Sequence, residues 1–96
     1  METDMDGSLG FDWTVADRVR AIIALNALLH IDKVQPDHRL QDLGLDSLGI
    51  VEVIFALEES FDISVPFNAN DPGQSRFDIT TVGAVIAGVE GLIAAR

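Results

Sequence analysis

Apolar positions recur along this chain at helical rather than strand spacing. Beyond Thr14, the residues Val15, Val19, Ile22, Leu25 and Leu29 fall three or four apart, until Ile31-Asp32 and Pro36 break the pattern. Thr14 with Asp17 three residues on makes a start like a capping box, so a first helix is predicted from there. Residues 1–12 are rich in Asp, Gly and Ser without periodicity, which predicts a loose leader ahead of one folded domain over 13–96. Residues 33–44 read as a long connection in which Leu40 and Leu43 fold back as apolar anchors.

From Ser47 to Phe61 the chain carries two apolar stripes. Ile50, Val53 or Ile54, Leu57 and Phe61 form one, suited to packing on a core. Leu48, Val51 and Phe55 form the other, also at spacings of three and four, beginning one residue past Ser47. A helix in so small a bundle does not easily bury both. The second stripe is either further core, tucked under the Leu40 loop, or an exposed docking surface.

Residues 66–78 hold Pro66, Asn68, Asn70, Asp71, Pro72 and Gly73, which is turn chemistry with room for one short helical turn. After Thr80, the residues Val82, Val85, Ile86, Val89, Leu92 and Ile93 trace the stripe of a last helix. Gly83, Gly88 and Gly91 interrupt that helix, each costing up to ~1 kcal/mol relative to Ala, so it depends on packing to form. They serve either a mobile wall or close helix contact. With no alternating strand pattern and no repeat, the expected fold is all-α, a small four-helix bundle of three long helices and one short one.

Ninety-six residues suffice for one domain with one modest core. Six basic residues stand against sixteen acidic ones, a formal charge of -10, which excludes nucleic acid as a partner and disfavours anionic membrane surfaces. The same acidity serves solubility or suits partners with basic patches. Cysteine is absent, so the chain offers no disulfide, thiolate metal site or thiol nucleophile, and any thiol chemistry must be added to it. No apolar run approaches a bilayer span, and the start of the chain is acidic where a signal peptide would be basic, so a cytoplasmic monomer without membrane insertion is expected. Asp4 and Asp6 lack the remaining ligands of a calcium loop, and no metal site is expected.

The candidate chemistry lies in Asp42-Leu43-Gly44-Leu45-Asp46-Ser47-Leu48. A serine in the first turn of a helix is exposed, and the free amides and helix dipole there favour an anion such as a phosphodiester. Asp46-Ser47 also has the composition of a helix cap. The run Leu43-Gly44-Leu45-Asp46-Ser47-Leu48 resembles the modification site of acyl carrier proteins, Leu-Gly-x-Asp-Ser-Leu, and the likeness continues through residues 52–61, Pro66 and Thr80-Thr81-Val82. The resemblance implies that Ser47 carries 4′-phosphopantetheine, moved from coenzyme A by a phosphopantetheinyl transferase, with Asp46 supporting that modification. It further implies an acyl group held as a thioester for fatty acid or related lipid synthesis. Leu48, Val51, Glu52, Phe55, Glu58 and Glu59 would then dock partners such as a ketosynthase or acyltransferase through Lys or Arg on their side. On this reading the protein is not an enzyme.

Two departures stand out. Gly49 occupies a position that is commonly polar in the family, and the 66–78 segment is several residues longer than usual, which together lean toward a specialised carrier resembling those for very-long-chain acyl groups of lipid A. Peptidyl carriers usually show a second glycine where Leu45 stands, so Leu45-Asp46 favours the acyl type over an aminoacyl or peptidyl carrier. A helical interaction module without an arm is the other alternative and would leave Ser47 dispensable. Serine hydrolysis fits poorly, because Leu45 replaces the first glycine of a nucleophile elbow and only His30 and His38 are available as bases.

Overall fold

The computed structural model describes residues 14–67 and 77–95. They form three helices, α1 (Val15–Ala27), α2 (Ser47–Phe61) and α3 (Val82–Ala95), joined between α1 and α2 by a connection with two 3₁₀ turns at Ile31–Lys33 and Gln41–Leu43. No strand occurs among the described residues, only an isolated bridge between Arg39 and Thr81. The fold is therefore all-α. The 1–12 leader lies outside the described residues, as does 68–76, the greater part of the stretch in which a short helix was expected.

Helix α1 begins as its sequence dictates, with Thr14 in extended conformation and its hydroxyl accepting from the Asp17 N–H at 3.1 Å. Its inward face differs from the expected one. Val19, Ile23 and Ala24 are buried and Val15 and Ile22 partly so, whereas Leu25 is 74% exposed. Val15, Ala16, Val19, Ala21, Ile22, Ile23, Ala24 and Leu25 leave apolar residues on most sides of the helix, so spacing alone admitted two phases. The helix stops at Ala27 without a glycine: Leu28 adopts φ 59° and its N–H returns to the carbonyls of Ala24 and Leu25.

The opening turn of α1 lies beside the last turn of α2. Arg18 Nη2 donates to both the carbonyl and the hydroxyl of Ser60 at 2.8 Å, and the guanidinium sits 4.3 Å from the centre of the Phe61 ring. Val19, Ile23 and Ala24 also share one core with Val53, Ile54 and Leu57, which requires α1 and α2 to run antiparallel. The expected stripe of α3 holds, with Val82, Val85, Ile86 and Val89 buried and Leu92 and Ile93 packed at its edge.

The long connection works as a clamp. Leu40 is buried at 1% exposure, as expected of an anchor, and Val34, unremarked in the apolar pattern, is fully buried. Its carbonyls serve the first turn of α3: Val82 N–H donates to His38 O at 2.9 Å and Gly83 N–H to Pro36 O at 2.8 Å, while Thr81 Oγ1 takes Ala84 N–H at 3.0 Å. Just upstream, the Thr80 hydroxyl and then its N–H, 2.8 Å away, hold the Asp78 carboxyl below its ordinary range. Gly88 is required by close contact, since a Cβ there would lie 2.6 Å from the buried Phe77 ring, and Gly83 is less crowded, a Cβ there meeting the Pro36 carbonyl oxygen at 3.1 Å. Gly91 faces open space.

One side chain ties the connection back to α1. Arg20 Nε donates to Val34 O at 2.6 Å and Nη2 to Ile31 O at 3.1 Å, with Asp17 Oδ1 3.5 Å from Nη1. Arg20→Ala leaves both carbonyls without their charged donor and is expected to cost about 2 kcal/mol, lowering the unfolding midpoint by roughly 8–16 °C. Arg20→Lys is expected to recover less than half of that, because an ammonium on a single stem does not span two carbonyls as a planar fork does. Thermal unfolding followed by circular dichroism tests both.

Candidate functional site

The segment leading into α2 is held at two points. Leu40 anchors its start, the turn Gln41–Leu43 follows, and Gly44 at φ +88° reverses the chain in a conformation other residues rarely adopt. Leu45 then enters the core at 7% exposure, its N–H directed to Leu40 O at 3.4 Å. The expected anchors were Leu40 and Leu43, but Leu43 is only partly buried and Leu45 takes the deeper place. A leucine outside any periodic stripe gave no signal of this.

Asp46 caps α2. Its backbone is extended, its carboxylate accepts from Gly49 N–H at 2.8 Å, and its carbonyl accepts from Ile50 N–H at 2.9 Å. The cap is thus Asp46 and not Ser47, which is the first helical residue. Ser47 is exposed, and its hydroxyl makes no hydrogen bond among the described residues. The amides of Ser47 and Leu48 precede the first intrahelical bond and add their partial positive charge to the helix end.

The second stripe of α2 is on the outside. Leu48 is 67% exposed and Phe55 63%, with Val51 partly covered between them, while Val53, Ile54, Leu57 and Phe61 face the core. Glu52 and Glu59 are exposed beside this ridge, and Phe55, Ala56 and the three glutamates 52, 58 and 59 line a shallow depression. Glu58 has a second engagement that spacing did not reveal: its Oε2 accepts from Val65 N–H at 2.8 Å, fastening the chain beyond α2 to that helix.

Among the described residues neither histidine stands over the serine. His30 pairs with Asp32, and His38 Nδ1 is turned to Gln35 N–H and Lys33 O within its own loop. No group of three His, Cys, Asp or Glu suited to a metal occurs among the described residues. No helix among them is long and apolar enough to cross a membrane. What remains is an exposed, unengaged hydroxyl on a capped helix end beside an apolar and acidic ridge.

A family model described as a phosphopantetheine attachment site matches residues 17–89. The chain belongs to the acyl carrier protein family. It is 34% identical over 89 residues to the acyl carrier protein AcpXL of Mesorhizobium japonicum, covering 86% of this chain and 96% of that relative. It is 40% identical over 81 residues to an acyl carrier protein of Akkermansia muciniphila, covering 83% and 98%. Acyl carrier proteins carry and do not catalyse, and their prosthetic group is 4′-phosphopantetheine. As a family they serve phosphopantetheinyl transferases and acyl-processing enzymes. The donor set of this carrier fits that group: an exposed hydroxyl without a hydrogen bond among the described residues, and the first-turn amides of Ser47 and Leu48 for a phosphodiester.

Proposed function

We propose that Ser47 is the residue of this carrier that takes the arm, and that the acyl groups it carries are intermediates of fatty acid or related lipid synthesis. The observation that supports this best is the unengaged, exposed Ser47 hydroxyl directly after the Asp46 cap. When bound, the arm supplies the thiol that this cysteine-free chain lacks, on which an acyl group rides as a thioester. Asp46 holds the first turn of α2 rigid through Gly49 N–H and, on this reading, also helps the transferase keep its metal in place.

Leu48, Val51 and Phe55 form the apolar strip on which a ketosynthase or acyltransferase docks, with Glu52 and Glu59 meeting basic residues of the partner and setting encounter rate and register more than affinity. Glu58 contributes from a fixed position because Val65 holds its carboxylate. We further place one carrier domain at 13–96 after a leader at 1–12, with a short helix within 66–78 completing a four-helix bundle, in a monomer working in the cytoplasm. Gly49 and the long 66–78 segment mark it as a specialised carrier.

Incubating the protein with coenzyme A, magnesium and a broad-specificity phosphopantetheinyl transferase is expected to add one phosphopantetheinyl group by intact mass, on the peptide that contains Ser47. Addition at another residue, or none at all, contradicts the assignment.

A further inference from the structure

The two supports of Ser47 converge on Gly49. A Cβ built on Gly49 would lie 3.0 Å from Leu45 Cδ2 and 3.4 Å from Asp46 Oδ1. Leu45 is buried and cannot swing outward without giving up its place in the core, and Asp46 Oδ1 is the atom that accepts from Gly49 N–H at 2.8 Å. These are the two residues immediately before Ser47. A side chain at 49 therefore presses on the Leu45 anchor, which must give by a few tenths of an ångström, while it meets the Asp46 cap only at ordinary van der Waals distance.

We propose that Leu45 and Gly49 form a coupled positioning pair, in which the missing side chain at 49 admits the long one at 45 and the fit between them aims the Ser47 hydroxyl at the transferase. This rests on Ser47 being the attachment residue. In the transfer, a bond forms between Ser47 Oγ and a phosphorus of the coenzyme A pyrophosphate, the pyrophosphate P–O bond breaks, adenosine 3′,5′-bisphosphate leaves, and the hydroxyl proton passes to the transferase. The pair touches none of the reacting atoms. It acts by placing Oγ in line, so its loss appears in kcat, whereas loss of docking contact appears in KM.

The test is a double-mutant cycle on the full chain with Gly49→Ala and Leu45→Val, the valine keeping an apolar anchor but lacking the Cδ2 atom that the new Cβ meets. With coenzyme A, magnesium and a phosphopantetheinyl transferase, Gly49→Ala is expected to lower kcat about tenfold with KM within about twofold. In the Leu45→Val background the same substitution is expected to change kcat by less than about twofold. Amide hydrogen exchange at residue 49, taken relative to the intrinsic rate of the residue present, gives a readout independent of the arm: it speeds up in Gly49→Ala, where the displaced Leu45 shifts the adjoining Asp46 acceptor, and returns toward the parent rate in the double variant. Equal slowing in both backgrounds, or parent-like exchange in Gly49→Ala, overturns the pair. A parent that takes no arm on Ser47 overturns the attachment reading itself, and this proposal with it.

Discussion

Replacing Ser47 with alanine is expected to abolish addition of the phosphopantetheinyl group while leaving the fold in place. The separation of the two effects follows from the division of labour at the start of α2. Were the serine the helix cap, its loss would cost about 1 kcal/mol, because an orphan amide would lose its acceptor. Here the cap is Asp46, whose carboxylate takes Gly49 N–H at 2.8 Å, and the Ser47 hydroxyl bonds to nothing among the described residues. Alanine at the first helical position is, if anything, favoured by roughly 0.5 kcal/mol of intrinsic propensity. The unfolding midpoint of Ser47→Ala should therefore match or slightly exceed that of the parent, with no mass gain after incubation with coenzyme A and transferase. Asp46→Ala is expected to behave in the opposite sense, losing about 1 kcal/mol of stability through the missing cap. An arm on the Ser47→Ala variant, or a drop in stability as large as that of Asp46→Ala, would contradict the roles given to these neighbouring residues.

How far such roles are legible in a sequence depends on whether they are local. The bounds of α2 and its inward stripe follow from spacing, whereas spacing left the stripe of Leu48, Val51 and Phe55 open between core and surface, and the tertiary packing leaves Leu48 and Phe55 outside. The Thr14 cap and the stripe of α3 are local in the same way. The phase of α1 is not, since apolar residues on most of its sides let tertiary contacts choose, and they chose Ile23 and Ala24 over Leu25. The end of α1 carried no glycine to announce it, only a leucine bent into the left-handed region. The partners of Arg20 lie 11 and 14 residues away, and Glu58 reaches Val65 across the end of its helix. A charged side chain that satisfies backbone carbonyls or amides looks, in the sequence, like any surface charge. Leu45 was visible as a member of the Leu-Gly-x-Asp-Ser-Leu run, but its burial follows the turn at Gly44, where the backbone takes φ 88°.

Two neighbours on α2 should separate stability from recognition most sharply. Leu57 is fully buried, within the core shared by Val19, Ile23 and Val85, and Leu57→Ala removes that packing where the surrounding helices can only partly close the void. The expected loss is about 3 kcal/mol, within the usual ~2–5 for buried leucine, against a total of roughly 5–14 kcal/mol for a domain of this size. The unfolding midpoint should fall by at least about 12 °C, since each kcal/mol is worth roughly 4–8 °C here. Phe55 lies two residues earlier and is 63% exposed. Phe55→Ala is expected to shift stability by less than about 0.5 kcal/mol, as for other surface positions, and to raise KM for the transferase or for an acyl-processing partner. Unfolding curves and transfer kinetics on the same two variants decide the matter: a Phe55→Ala protein destabilised like Leu57→Ala would return the outer stripe to the core. One that is stable yet unchanged toward transferase and acyl-processing partners alike would remove Phe55 from the docking surface.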